Sequence, residues 1–243
     1  MRFYAVIIGT EILNKRREDK HFLFLQELLL EYGHELFASF VIKDDVELIK
    51  NIFSLIKKDT HSVMFSFGGI GSTPDDLTRK IAADIFTNFP LQTHKHFFED
   101  IIEKFKEKAY PHRIHMADLP RNAELLFNPI NNMSGFSLHN RYYFVPGFPS
   151  MAHPMIREII KTHYADSIKK YTATLYAYTS EDTLISTMKK LPTSIELSSL
   201  PLFVEGQANV ELSISSTNED EIKYYFSLFI QELQEKKIKY KLR

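Results

Sequence analysis

The chain has no cysteine and no tryptophan in its 243 residues. Without cysteine, neither a disulfide framework nor a thiolate metal site can form. Net charge is also missing: 30 Lys and Arg face 31 Asp and Glu, so no overall field draws the chain to nucleic acid or to an anionic membrane. No apolar run approaches the ~20 residues that cross a bilayer. The amino terminus, Phe3 to Ile8, is too short and too soon interrupted for a signal peptide, so a cytoplasmic protein is expected. There is no internal repeat and no low-complexity linker. What the chain has is 20 Phe and 12 Tyr, enough for an aromatic-packed core. Its length suits either one large domain or a principal domain of about 160 residues and a small second one.

The chemistry collects between Ser62 and Lys80. Ser62 to Phe67 is nearly all apolar and reads as a strand buried on both faces. It runs into Gly68-Gly69-Ile70-Gly71-Ser72-Thr73-Pro74-Asp75-Asp76-Leu77-Thr78. The spacing predicts a helix beginning near Pro74 with an apolar stripe of Leu77, Ile81 and Ile85. Three glycines in four positions let backbone N–H groups approach a ligand, and a helix amino terminus aimed at the same point suits a phosphate. Helix capping is the alternative: Thr73 as N-cap, Pro74 at the first helical position and Asp76 returning a bond as in a capping box. Capping alone leaves Gly68, Gly69, Gly71 and Asp75 unexplained.

Other segments follow the same alternation of strand and helix. Phe3 to Ile8 is a strand ending at Gly9-Thr10-Glu11, and the charged loop Asn14 to His21 contains Arg16, Arg17, Asp19 and Lys20. A helix is expected from about His21 to Tyr32, a strand over Leu36 to Ile42, and a helix after Lys43-Asp44-Asp45 with Val46, Ile49, Phe53 and Ile56 inward. An Asp at that point caps a helix readily. Lys95 to Lys108 reads as a helix, and Tyr142 to Val145 as a strand ending in Pro146-Gly147-Phe148-Pro149. His94 and His96 are two apart and do not share a helix face, and His112 and His115 lack a third ligand, so the histidines read as structural or surface groups.

The eleven residues from Gly68 to Thr78 closely resemble the signature Gly-Gly-x-Gly-x-Thr-x-x-Asp-x-Thr of the MoaB/Mog-type molybdopterin-binding domain. The Thr-Pro-Asp-Asp-Leu-Thr form is most similar to the branch holding the amino-terminal domain of CinA and the corresponding domain of FAD synthase. Gly9-Thr10-Glu11, Asn128-Pro129, Gly135-Phe136 and the Pro146-Gly147 turn resemble further segments of that family. The chain departs from it at Asp19-Lys20-His21, where relatives usually have Asp-Thr-Asn, and at Ser72, where they more often have Pro. The resemblance implies that Asp44 and Asp76 together hold Mg²⁺ on a phosphoanhydride and are the catalytic pair. It implies a ligand contact surface of Gly9, Thr10, Glu11, Asp19, Gly68, Gly69, Gly71, Ser72, Thr73, Asp75, Thr78, Pro146 and Gly147. The ligand it implies is a pterin or nucleotide diphosphate such as molybdopterin, ADP-ribose or FAD, hydrolysed or transferred at the phosphoanhydride. A ligand-binding or scaffold protein without turnover is the alternative. A homo-oligomer, dimer or trimer, is also implied.

The expected fold is a three-layer, doubly wound, mostly parallel α/β domain over residues 1–163, followed by a small ferredoxin-like α+β domain over 168–243. In the latter, Tyr171 to Tyr178 reads as a strand and Ser180 as the cap of a helix with Leu184, Met188 and Leu191. Ile195–Leu197 and Val210–Ile214 read as short strands, Asn218 starts a helix, and Lys237 to Leu242 ends as a strand. CinA-type relatives continue into an amidohydrolase domain where this sequence stops, so that activity is not expected.

Overall fold

The strand Arg2–Ile8 (β1) is buried on both faces from Phe3 onward because its side chains alternate between two cores. Phe3, Ala5 and Ile7 face one, and Tyr4, Val6 and Ile8 the other. The computed structural model describes residues 1–165, 170–204 and 206–243. It divides into two units, Met1–Ser167 and Ile168–Arg243. The expected domain junction includes residues 166–169, which lie outside the described residues.

In the first unit, β1 is followed by a single turn Thr10–Leu13 (α1), His21–Glu31 (α2), Leu36–Ile42 (β2), Val46–Lys58 (α3), Ser62–Phe67 (β3) and Thr78–Ala82 (α4). Then come Gln92–Thr93 (β4), Lys95–Phe105 (α5), Asp118–Leu119 (β5), Glu124–Leu126 (β6), Gly135–Leu138 (β7), Tyr142–Val145 (β8) and Pro149–His163 (α6). The main sheet has the order β2-β1-β3-β8-β7-β6. Its first four strands are parallel, and β7 and β6 extend it antiparallel. Helices α2 and α6 pack Leu25, Leu28, Leu29, Ile156 and Ile160 on one face. Helices α3, α4 and α5 pack Ile49, Phe53, Ile81 and Ile101 on the other, completing three layers. Each fully buried Phe or Ile of these layers contributes roughly 1.5–3 kcal/mol of transfer free energy.

Two sequence expectations are corrected by the structure. The helix after the glycine turn starts at Thr78 rather than near Pro74, and α4 passes into a π-helical turn, Ala83–Thr87. The helix expected over Lys95 to Lys108 leaves α geometry at Phe105 and continues as a 3₁₀ turn, Lys106–Ala109. Strands β6 and β7 were not expected from the sequence.

The second unit contains Tyr171–Ala177 (β9), Ile185–Met188 (α7), Glu196–Val204 (β10), Gln207–Ser216 (β11), Glu219–Glu235 (α8) and Tyr240–Leu242 (β12). Its sheet runs β10-β11-β9-β12, all antiparallel, the ferredoxin-like order. Helix α8 is capped by Asn218, whose Oδ1 accepts from the N–H of Asp220 and Glu221, and it packs Ile222, Phe229 and Leu233 onto Leu175, Leu212 and Ile214. Ser180 makes no capping bond; a 3₁₀ turn, Glu181–Leu184, opens α7 instead. The short strands expected at Ile195–Leu197 and Val210–Ile214 are parts of one longer hairpin, and its Pro201 is tolerated because β10 is an edge strand.

Candidate functional site

Four parallel strands end level, so the turns that follow them abut. Ile8 pairs with Ile42, Ile7 with Phe67, and Phe67 with Val145. The turns are then stitched by backbone bonds, Gly9 N–H to Ile42 O and Gly68 N–H to Val145 O, both 3.0 Å. Ligands of open α/β sheets bind at this carboxyl edge. Here it borders a cleft of about 530 Å³ lined by Gly9, Glu11, Asp44, Gly68, Gly69, Gly71, Ser72, Thr73, Asp75, Asp76, Pro146 and Gly147, all of them site residues expected from the sequence. A larger hollow of about 730 Å³ beside α3 and α4, lined by Val46, Ile81 and Phe89 among others, receives none of these turns.

The glycine turn is built inside out. Gly68 and Gly69 have φ of +96° and +70°, and a Cβ on either would run into Ile8 O or Thr78 Oγ1. Buried Thr78 donates its hydroxyl to Gly68 O and its N–H to Gly69 O, both at 3.0 Å. Buried Arg79 donates Nη1 to the carbonyls of Ile70 and Gly71. All four carbonyls from 68 to 71 are thus consumed on the protein side. The backbone N–H groups of Gly69, Ile70, Gly71 and Ser72 make no hydrogen bond among the described residues. A row of free N–H groups after two positive-φ glycines has the form of the backbone concavities that can take an anion. The anion reading therefore transfers from the helix amino terminus to the turn itself, because the N–H of Thr78 is already spent on Gly69.

Asp76 Oδ2 accepts the N–H and hydroxyl of Thr73 at 2.8 and 2.6 Å. The return bond of a capping box is present, but the Thr73 hydroxyl donates to Asp76 and the Asp76 N–H goes to the Thr73 carbonyl, so the pair closes a separate turn before the helix. Asp44 Oδ2 accepts the N–H and hydroxyl of Thr10, both at 2.9 Å. The capping role belongs to Asp45, whose Oδ1 takes the Leu48 N–H at 2.8 Å. The Oδ1 atoms of Asp44 and Asp76 have no hydrogen-bond partner among the described residues. Glu11 lies 3.7 Å from Arg17, whose guanidinium sits 4.8 Å over the Phe148 ring at the cleft.

Three expected contact residues do not line the cleft. Thr78 is buried beneath the turn, and Thr10 stands behind Asp44 as its donor. Asp19 accepts the N–H groups of His21 and Phe22 and starts α2. His21 is buried, stacked on Phe67 at 4.4 Å, and its Nε2 lies 3.3 Å from Gly147 O, so it braces the Pro146-Gly147 turn. Burial pulls its imidazole below the ordinary value.

Sequence reasoning did not assign Arg113, Asn131, Ser134 or the apolar wall of Phe97, Phe105, Met116 and Met133 to the cleft. Asn128 was a usable signal: its buried amide bonds Met133 O and Ile130 N–H and shapes the loop that carries Asn131 to Ser134. Among the described residues no group of three or more His, Cys, Asp or Glu could hold a metal, and no helix is long and apolar enough to cross a membrane.

Comparison with known proteins identifies the family and the fold. The profile of the family described as a probable molybdopterin binding domain matches residues 4–166. A CinA-like protein of Acaryochloris marina is 30% identical over 229 residues, 89% of this chain and 54% of the relative. A CinA-like protein of Flavobacterium psychrophilum is 26% identical over 248 residues, 96% of this chain and 59% of the relative. The chain thus spans little more than half the length of these curated relatives. The crystal structure of CinA from Thermoplasma acidophilum, a protein of unknown function, shares the fold with a TM-score of 0.60 at 23% identity, covering 67% of this chain and 98% of that one. With residues 4–166 matched by its profile and CinA-like proteins among its relatives, the chain belongs to the molybdopterin-binding-domain family.

Proposed function

We propose that the chain binds a pterin or nucleotide diphosphate at the carboxyl edge of its parallel sheet and, with Mg²⁺, hydrolyses or transfers at the phosphoanhydride. The observation that carries this reading is the row of four unpaired N–H groups from Gly69 to Ser72 beside Asp44 and Asp76. Those N–H groups would bind non-bridging phosphate oxygens. Arg17 and Arg113 at the rim would offset further charge. Phe97, Phe105, Met116 and Met133 offer an apolar wall for a flat ring system such as a pterin, flavin or adenine.

The donor set fits Mg²⁺, because each carboxylate spends Oδ2 on a local bond and leaves Oδ1 without a partner among the described residues. A hard ion that keeps several waters needs few protein ligands beside phosphate oxygens. Bound there, Mg²⁺ would neutralise and polarise the phosphoanhydride. Asp44 and Asp76 would hold it, and Thr10 and Thr73 fix the direction of those carboxylates.

A binding protein without turnover is the second reading, favoured by the fact that both aspartates already serve local structure through Oδ2. The homo-oligomer implied by the resemblance, dimer or trimer, is part of the proposal and is read by light scattering. The test of function is a panel of ADP-ribose, FAD, NAD and a molybdopterin-like compound, with and without Mg²⁺, followed by thermal shift and by release of products cleaved at the phosphoanhydride. Stabilisation together with Mg²⁺-dependent cleavage supports the enzyme. Stabilisation without cleavage supports the binding protein, and no response from any member rejects both.

A further inference from the structure

A further hollow of about 620 Å³ shares Ser72, Thr73 and Arg113 with the cleft. One wall is Ser72-Thr73-Pro74, part of the glycine turn, and Arg79, Lys108 and Arg113 join His112 and His115 around the rest. Among the described residues no carboxylate lines it, although acidic residues slightly outnumber basic ones in the whole chain. Three cations therefore share one concavity, with Asp118 behind it as the partner of His115 and Asp76 and Asp118 near Arg79.

The positions of these groups are held. Arg113 donates Nη1 to Lys108 O at 2.6 Å and lies 4.8 Å over the Phe105 ring, which fixes the 3₁₀ segment and its guanidinium together. His115 is held by Asp118 through Nδ1 at 2.9 Å, leaving its Nε2 available. Arg79 is 7% exposed, spends Nη1 on the turn, and has an Nε with no partner among the described residues. Ser72, Thr73 and Arg113 line both this hollow and the cleft, so the two adjoin at the turn.

We propose that this hollow is a second anion subsite that takes a phosphate group through Lys108, Arg113 and Arg79. The phosphate comes either free from solution or as a further phosphate of the molecule held in the cleft, and the recognising chemistry is the same. Lys108 supplies a point charge at the rim, Arg113 a planar fork, and Arg79 the floor. The turn shared by the two hollows would then meet an anion in each.

The test titrates inorganic phosphate in the presence of EDTA, at constant ionic strength, into the full chain, Lys108→Gln/His112→Asn, Lys108→Arg and Asp44→Asn, with binding read by calorimetry. Lys108 and His112 are exposed, so an unchanged melting temperature of the double variant confirms that the fold is intact. The double variant is expected to bind phosphate about tenfold more weakly, as loss of a charge-assisted contact predicts, whereas Lys108→Arg leaves it unchanged. No phosphate binding to the wild type, or equal binding to the double variant, overturns the subsite. Titrating ADP-ribose with Mg²⁺ into the same proteins separates the two sources: weakening by Lys108→Gln/His112→Asn assigns the hollow to the cleft ligand, and no change assigns it to free phosphate. A cleft that ignores ADP-ribose or Asp44→Asn rejects the proposed function while leaving the phosphate result standing.

Discussion

Asp44 is bonded to Thr10 twice through one oxygen, Oδ2 taking the backbone N–H and the hydroxyl at 2.9 Å each. This ties the turn after β1 to the turn after β2 and leaves the second oxygen to the cleft. Thr10→Val keeps the backbone donor and removes the hydroxyl. It is expected to cost about 1 kcal/mol of stability and to weaken Mg²⁺-dependent ligand binding. A double-mutant cycle with Asp44→Asn measures the pair, and additive effects would reject the coupling.

Asp76→Asn can still accept both Thr73 bonds through its amide oxygen, so the melting temperature is expected to move little. Mg²⁺-dependent turnover should be lost, and equally so in Asp44→Asn. Combining the two should cost little more than either, because both act on one ion. Roughly additive losses of stability with ligand binding intact would mean that both residues serve only the local turns.

Gly69 and Gly71 should separate. Gly69→Val meets positive φ and buried Thr78 together, and is expected to lose about 2 kcal/mol or more along with ligand binding. A β-branched residue there is therefore not a fold-neutral probe of the turn. At Gly71 the three atoms nearest to a Cβ all belong to the Asp76 carboxylate, with Oδ2 at 2.6 Å. Gly71→Ala should keep stability within about 1 kcal/mol while displacing that carboxylate. Unchanged Mg²⁺-dependent binding in Gly71→Ala would dissociate Asp76 from the site.

Burial, with His21 and Arg157 adding to it, pulls the His153 imidazole down to about 4, against the opposing influence of Asp19 and the Lys20 backbone. The native state therefore resists a proton that the unfolded chain accepts below 6.5. Stability is complete above that value and falls as pH drops through the window from 6.5 to about 4. His153→Phe, which retains the stack on Phe24, should flatten the slope, with buried His21 supplying what remains. Urea melts across this window decide it; an unchanged slope would remove His153 from the account.

A chain ending at Ala165 should melt cooperatively, since both large core clusters lie within the first unit. Ending at Lys161 instead removes Tyr164, which is 6% exposed, packs edge-on against Phe3 and bonds the Tyr143 hydroxyl at 3.0 Å. That loss should cost about 3 kcal/mol. Equal melting of the two shortened chains would contradict this role of Tyr164.

The parallel strands were legible because apolar runs, buried on both faces in Ser62–Phe67 and half-buried at the sheet edge in Leu36–Ile42, are bounded by turn residues on both sides. Level ends of those strands could be inferred, and with them the cleft. What local chemistry cannot decide is which of two adjacent donors or acceptors a fold uses. Asp44 and Asp45 are equally good caps until the Thr10 turn claims one of them. Thr73-Pro74-Asp75-Asp76 spells a helix start whether or not a helix follows, and only the Gly69–Thr78 bond moves that start to Thr78. Arg79 was missed although it directly follows the motif, because only the fold turns its side chain back under the carbonyls of Ile70 and Gly71; Arg113 reaches the cleft from a distant stretch whose spacing carries no signal of its own.

The glycine turn hangs from β3, and β3 lies between β1 and β8, with Met64 paired to Tyr142 and Phe67 to Val145. One flank of the site thus arrives long before the other along the chain. During synthesis the turn cannot acquire its Val145 bond until the whole excursion through α4, α5 and the β6–β7 hairpin has emerged. Closing so long a loop before any contact rewards it is slow. Competence to bind should therefore appear late in refolding, after helical signal has returned.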